Sequence, residues 1–194
     1  MHNLNKEFYH ISRQNNWSVD SVITAGINEN PFWCICKNCS VLVTVNQQQM
    51  PVFEMINQKY RFDVTQENID FLYQTIENVS KETALYIREQ IFEDVRKTNF
   101  PHLPSRQKCL WLCDKETLPY WNTAVTGPQR YLLALKIDGQ LFCGDANWLT
   151  ADTLSSVEYA NRATHYWSGE MTADPRKEYL FYGEAVVKAI TQIQ

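Results

Sequence analysis

Residues 177–187, Lys-Glu-Tyr-Leu-Phe-Tyr-Gly-Glu-Ala-Val-Val, constrain the fold more than any other stretch. Aromatic and β-branched residues concentrate there behind an Asp174-Pro175 turn signal, the pattern of a strand. Strand side chains alternate between two faces, so Tyr179, Phe181, Ala185 and Val187 share one side. That face is apolar and suits a core. Glu178, Leu180, Tyr182 and Glu184 share the other, which mixes two carboxylates with aliphatic and aromatic surface. Two readings of it stand: an edge strand whose charges discourage aggregation, or a strand presenting a functional carboxylate.

A chain of 194 residues has room for one well-buried domain. Its 44% hydrophobic and 21% charged residues are those of a globular protein, and a net charge of −4 excludes a strongly basic nucleic-acid footprint over the whole molecule. A local basic groove stays open. Residues Met1 to Tyr9 have no apolar h-region, and no apolar run approaches the roughly 20 residues of a membrane span. With six cysteines and no export signal, the expectation is free thiols and a cytoplasmic protein.

Phe8-Tyr9-His10-Ile11-Ser12-Arg13 reads as a short early strand, and residues 14–30 as loop. Cys34, Cys36 and Cys39 fall in a stretch read as strand-like. Three thiols invite zinc, but a closed structural site needs four ligands, so packing is expected and no metal. Val41 to Val45 is a further strand. Between Gln66 and Thr98, Ile69, Leu72, Tyr73, Ile76 and Val79 recur at helical spacing, followed by Ile87, Ile91 and Val95. This predicts two helices or one bent helix near Ser80, mainly scaffold, with Arg88, Arg96 and Lys97 on a solvated face.

Pro101 and Pro104 end that region, and Ser105-Arg106 leads into the next strand, placing a guanidinium where it could grip a diphosphate or a carboxylate. Asp138-Gly139 is the signal of a hairpin turn between Tyr131–Ile137 and Gln140–Cys143. Residues 152–167 read as an amphipathic helix with Leu154, Val157, Ala160 or Tyr159, Ala163 and Trp167 inward.

Tyr9-His10-Ile11-Ser12, Pro104-Ser105-Arg106, Tyr166-Trp167-Ser168-Gly169 and the strand opening at Glu178 occur in that order. Together they resemble the diphtheria-toxin-like branch of the ADP-ribosyltransferase superfamily, nearest to small nucleic-acid-modifying members of toxin–antitoxin and phage-defence systems. The chain also resembles an uncharacterised bacterial family with the Pro-Ser-Arg and Tyr-Trp-x-Gly signatures. The resemblance implies a single α+β domain over residues 1–194, with a split, mixed β-sheet and a helical insertion at roughly 66–98. It implies NAD as substrate, Glu178 as the catalytic carboxylate, and His10, Ser12, Arg106, Tyr166 and Trp167 around the dinucleotide. RNA or single-stranded DNA is the implied acceptor, ahead of protein, with an antitoxin or inhibitor protein as partner and no membrane. Arg176 stands two residues before Glu178, where protein-modifying relatives carry Glu or Gln, so an arginine acceptor is not expected.

The chemistry suits these residue types. Cleaving the nicotinamide–ribose bond builds oxocarbenium character, as in glycoside hydrolysis, and a carboxylate near the ribose 2′-hydroxyl stabilises it. Glu184 lies roughly 20 Å along the strand at about 3.3 Å per residue, too far to share the site. An NAD glycohydrolase, an RNA 2′-phosphotransferase-like enzyme and a non-catalytic binding module on the same fold are the alternatives.

Overall fold

The computed structural model describes residues 7–39, 42–45, 47–57, 65–150, 152 and 154–193. In chain order the elements are β1 (Phe8–Ser12), β2 (Val22–Ala25), α1 (Pro31–Asn38), β3 (Leu42–Val45), β4 (Gln48–Pro51), α2 (Val52–Asn57) and α3 (Gln66–Asn99). There follow β5 (Leu110–Asp114), α4 (Leu118–Ala124), β6 (Arg130–Asp145), α5 (Ser156–Trp167) and β7 (Lys177–Ile193).

The main sheet is built on one long ribbon. β6 and β7 pair antiparallel from Arg130↔Ile193 to Asp145↔Lys177. Asp138-Gly139 is therefore not a hairpin turn. It lies in mid-strand, and Gly139 faces Gly183 across the ribbon. Both glycines have positive φ, 152° and 138°. A Cβ at Gly139 would fall 2.1 Å from the Tyr182 carbonyl oxygen, and one at Gly183 2.3 Å from that of Asp138. Only glycine fits either place, and the sequence signal marks a close backbone approach within a strand.

Around this point the ribbon changes neighbours. β1 pairs with Tyr131 to Leu135 of β6, and β2 with Gly183 to Val186 of β7. Before the glycine, β5 pairs with Tyr179 to Phe181. β1 also pairs with the end of β5, so the five-stranded sheet, in the order β2-β7-β5-β1-β6, closes on itself through β6 and β7. Every pairing among the described strands is antiparallel, so the α+β class holds and the mixed sheet does not form. The α5 connection leaves β6 at Asp145 and re-enters β7 at its pairing partner Lys177, and the α3 connection leaves β2 beside Gly183 and re-enters β5 beside Phe181. Each returns to the end it left and makes no parallel crossover. β3 and β4 form a separate two-stranded sheet.

The alternation expected for the last strand sorts two cores. Tyr179, Phe181, Ala185 and Val187 join Phe8, Leu112, Leu133 and Leu135 inside the closed sheet. Leu180 lies on the other face, with Phe92 of α3 and Tyr159, Ala163, Tyr166 and Trp167 of α5. Val157, expected inward, is exposed, and Tyr159 and Tyr166 take up the buried stripe.

The helical region is one continuous helix of 34 residues without a break at Ser80. Arg88 is buried, and Ile69, Tyr73, Ile76 and Ile87 are exposed, the reverse of the sequence expectation. The cysteine stretch is helical too. The Asn30 side chain caps α1 by accepting from Trp33 N at 2.9 Å, with Pro31 at the first position. No described helix is long and apolar enough to cross a membrane.

Candidate functional site: a buried arginine–glutamate cluster

The outer face of β7 begins with Glu178, and what covers it is helical. α3 presents Glu89 and Glu93, one turn apart on its inward side, both buried. Two carboxylates at this spacing repel unless cations neutralise them. The segment after the helix supplies one: the Arg106 Nε donates to Glu89 Oε2 at 3.1 Å and Nη2 to Glu89 Oε1 at 3.3 Å. Arg88 adds a second guanidinium, donating to Glu89 Oε1 at 2.7 Å through Nη2. Glu93 accepts from Arg96 at 2.8 and 2.9 Å and from the Ser105 hydroxyl at 2.8 Å. The Pro104-Ser105-Arg106 signature is thus clamped to α3, and Ser105 N donates to Tyr182 Oη at 2.8 Å.

Arg106 also reaches the last strand. Its Nη1 donates to Glu178 Oε1, and to the Tyr166 hydroxyl at 3.0 Å. That hydroxyl in turn donates to Glu178 Oε1 at 2.5 Å. Room for the Tyr166 ring comes from Gly144, the β6 residue paired with Glu178; a Cβ there would lie 2.5 Å from the ring. The guanidinium carbon stands 5.4 Å from the centre of the Tyr166 ring and 5.8 Å from that of Trp111, within cation–π range of both.

The electrostatics follow. Burial alone would push Arg106 down, but Glu178 and Glu89 hold it well above its ordinary value, so it stays charged. Burial, then the Glu178 charge, pushes the Tyr166 hydroxyl up, which keeps it a donor. Burial raises Glu89, yet Arg106 and Arg88 outweigh it, and the net result lies below the usual carboxylate range. Glu178 is 5% exposed. Both of its donors meet at Oε1, and none of the described residues donates to Oε2. No fully buried side-chain oxygen or nitrogen lacks a partner among the described residues, so Oε2 is in touch with solvent.

Of the six sequence-derived site residues, Arg106, Tyr166 and Glu178 converge. The other three do not. His10 pairs with Leu133 and shares the face of Phe8, two residues earlier, both in the inner core, whereas Glu178 shares the outer face with Leu180. Period-two alternation thus points His10 and Glu178 to opposite sides of the sheet. His10 is half-buried, and its Nδ1 lies 2.9 Å from the Trp111 carbonyl oxygen. A carbonyl only accepts, so Nδ1 carries the proton and Nε2 keeps its lone pair. Burial lowers the His10 pKa, partly offset by that bond.

Ser12 closes its own turn, with Oγ donating to the Gln14 carbonyl at 3.0 Å and accepting from Trp17 Nε1 at 3.3 Å. Trp167 is a core residue whose Nε1 donates to the Phe92 carbonyl at 2.8 Å. Tyr166 and Trp167 are both buried. Glu184 is exposed, apart from the cluster as expected.

Glu89 and Glu93 went unread in the sequence, hidden among the charges of a helix taken as solvated. The signal was there: two acids one turn apart, each next to or near an arginine. Among the described residues, no three His, Cys, Asp or Glu side chains group closely enough to hold a metal. Cys36 is buried on α1, and burial pushes its thiol up to about 11.

The fold and site define an α+β protein with a closed antiparallel sheet and an ionic cluster between that sheet and two helices. The family described as a protein of unknown function (DUF2441) matches residues 8–193, and the chain belongs to it. No curated protein matches the chain.

Proposed function

We propose that this protein transfers ADP-ribose from NAD to a macromolecular acceptor, with Glu178 as the group that stabilises the reacting ribose. The observation that carries the reading is the way Glu178 is held. Arg106 and Tyr166, from signatures 72 and 12 residues away in sequence, both bind Oε1, which leaves Oε2 for a ribose 2′-hydroxyl. A fixed carboxylate with one open oxygen suits an oxocarbenium-like state. The C1′–N bond breaks with its electrons passing to nicotinamide, the acceptor's lone pair bonds to C1′, and the acceptor's proton leaves to solvent. Arg106 is a positioning residue here, since its donors are engaged by carboxylates and a hydroxyl rather than aimed at a diphosphate.

A nucleobase acceptor is favoured over a protein side chain. Arg176, two residues before Glu178, is exposed and lies 5.3 Å over the exposed Tyr120 ring, a surface suited to stacking a base. A cytoplasmic toxin role, restrained by an inhibitor protein, extends the same reading.

A second reading has its own support. Glu178 is only 5% exposed, and His10 is directed to the other face, which suits a non-catalytic module whose charged cluster holds the helices on the sheet. Nicotinamide release from NAD, with and without single-stranded RNA or DNA, separates the two. Release only with nucleic acid, lost in Glu178→Gln, supports transfer. Release without an acceptor identifies a glycohydrolase. No release from wild type under any of these conditions overturns the enzyme.

A further inference from the structure

The outer face of α3 carries a pattern that the cluster does not use. Ile69, Tyr73, Ile76, Ser80, Thr83 and Ile87 follow one another at spacings of four, three, four, three and four residues. That is the a/d seam by which one helix receives another. A solvated helix face has no need of it. Yet Ile69 is 49% exposed, Tyr73 68%, Ile76 65% and Ile87 41%, so the seam is open along about 27 Å at 1.5 Å per residue. Beside it runs a groove of about 430 Å³ whose lining includes Leu42, Val52, Phe53, Val79 and Tyr86, with Phe53 77% exposed.

The charges beside the seam say what fits it. Glu67, Asp70, Glu77 and Glu82 face a single lysine, Lys81, over residues 65–83, and Lys81 is already paired with Glu77. Asp70 and Glu77 each follow a seam isoleucine directly, in the flanking position that selects a partner by charge. A second copy of the chain would bring like charges together, with Ser80 and Thr83 weakening the middle of the contact. A cationic helix avoids the charge clash and sets apolar side chains, rather than a second Ser-Thr pair, opposite Ser80 and Thr83.

We propose that the exposed seam of α3 is a docking surface for a basic amphipathic helix of a partner protein, which lays its apolar stripe between Ile69 and Ile87 and its Lys or Arg residues against Asp70 and Glu77. The surface is independent of the Glu178 cluster, and its test does not rely on catalysis.

The probe is a fluorescent helical peptide with Leu at four–three spacing and Lys in the flanking positions. Its controls are a scrambled peptide of identical composition and a version with Glu flanks. Anisotropy titrations use the full chain and the variant Ile69→Ser/Tyr73→Ser/Ile76→Ser, whose exposed sites leave folding intact and whose charge is unchanged. The basic peptide is expected to bind wild type at least about tenfold more tightly than it binds the variant or than either control binds wild type, with affinity falling as salt rises. Equal binding of the scrambled peptide, or undiminished binding to the triple variant, overturns the proposal. So does a wild-type dimer in sedimentation that the triple variant dissolves, because the occupant would then be a second copy.

Discussion

Replacing Glu178 by Gln conserves volume and removes one charge, which makes it a sharp probe of the cluster. Arg88 and Arg106 stand against Glu89 and Glu178, two charges of each sign, with Arg106 and Glu178 each 5% exposed. The substitution leaves an excess positive charge in that space. Removing one partner of a buried pair costs about 3–5 kcal/mol. The lower end applies here, because Arg106 keeps its fork to Glu89. About 3 kcal/mol corresponds to a melting temperature lower by roughly 6–12 °C in a chain of this size. Urea unfolding followed by circular dichroism is the assay, read as a shifted midpoint at unchanged slope. Arg106→Gln/Glu178→Gln restores the charge balance and should be less destabilised than the sum of the two single variants. A Glu178→Gln protein as stable as wild type, or more so, refutes the reasoning, since Glu178 would then not be paired in a buried cluster. The same variant is expected to lose a hundredfold or more of any transferase activity, so stability and turnover must be measured together.

Acid should weaken the fold in two stages. His10 titrates lower when folded than unfolded, so stability falls as pH drops below the ordinary histidine value of about 6.5, and Glu89, also depressed, adds a further loss below about 4. His10→Asn, which can still donate to the Trp111 carbonyl, should erase the first stage in pH-dependent unfolding and leave the second. Gly183→Ala should cost more than about 3 kcal/mol, combining a strained φ with a backbone clash, whereas Gly169→Ala, also at positive φ but with nothing within 4 Å of its Cβ, should cost only about 1–2 kcal/mol. Equal thermal shifts in the two would disprove the close approach in the ribbon. Tyr166→Phe removes the hydroxyl shared by Arg106 and Glu178 and should lower stability by about 1–3 kcal/mol in urea titration.

The faces of the last strand were legible because alternation is a local rule, and Tyr179, Phe181, Ala185 and Val187 obey it in a core closed on both sides. Asp138-Gly139 misled because the same dipeptide serves a tight turn and a close strand crossing, and only its partner Gly183 distinguishes them. α1 was missed although Asn30-Pro31 is a cap and first-turn pair; the short apolar run Phe32-Trp33-Cys34-Ile35 was read as strand-like instead. The site was half legible. Arg106, Tyr166 and Glu178 are brought together, but the sequence does not say that β1 turns His10 inward while β7 turns Glu178 outward. That parity depends on register across three strands. The role of Glu89 and Glu93 needed the Ser105-Arg106 segment folded back on α3, a contact no window along the chain contains.

The central ribbon also bears on how the protein is made. β7 comes last in chain order and pairs with β2, β5 and β6. While a ribosome is still adding residues 177–193, β2 has no sheet neighbour and β6 shows one bare edge along its whole length. The Arg106 guanidinium also lacks one of its two carboxylates. Such edges recruit other chains, and pairings this distant in sequence form slowly. A chain truncated before that strand keeps these edges bare, and it is expected to aggregate rather than fold as a smaller protein.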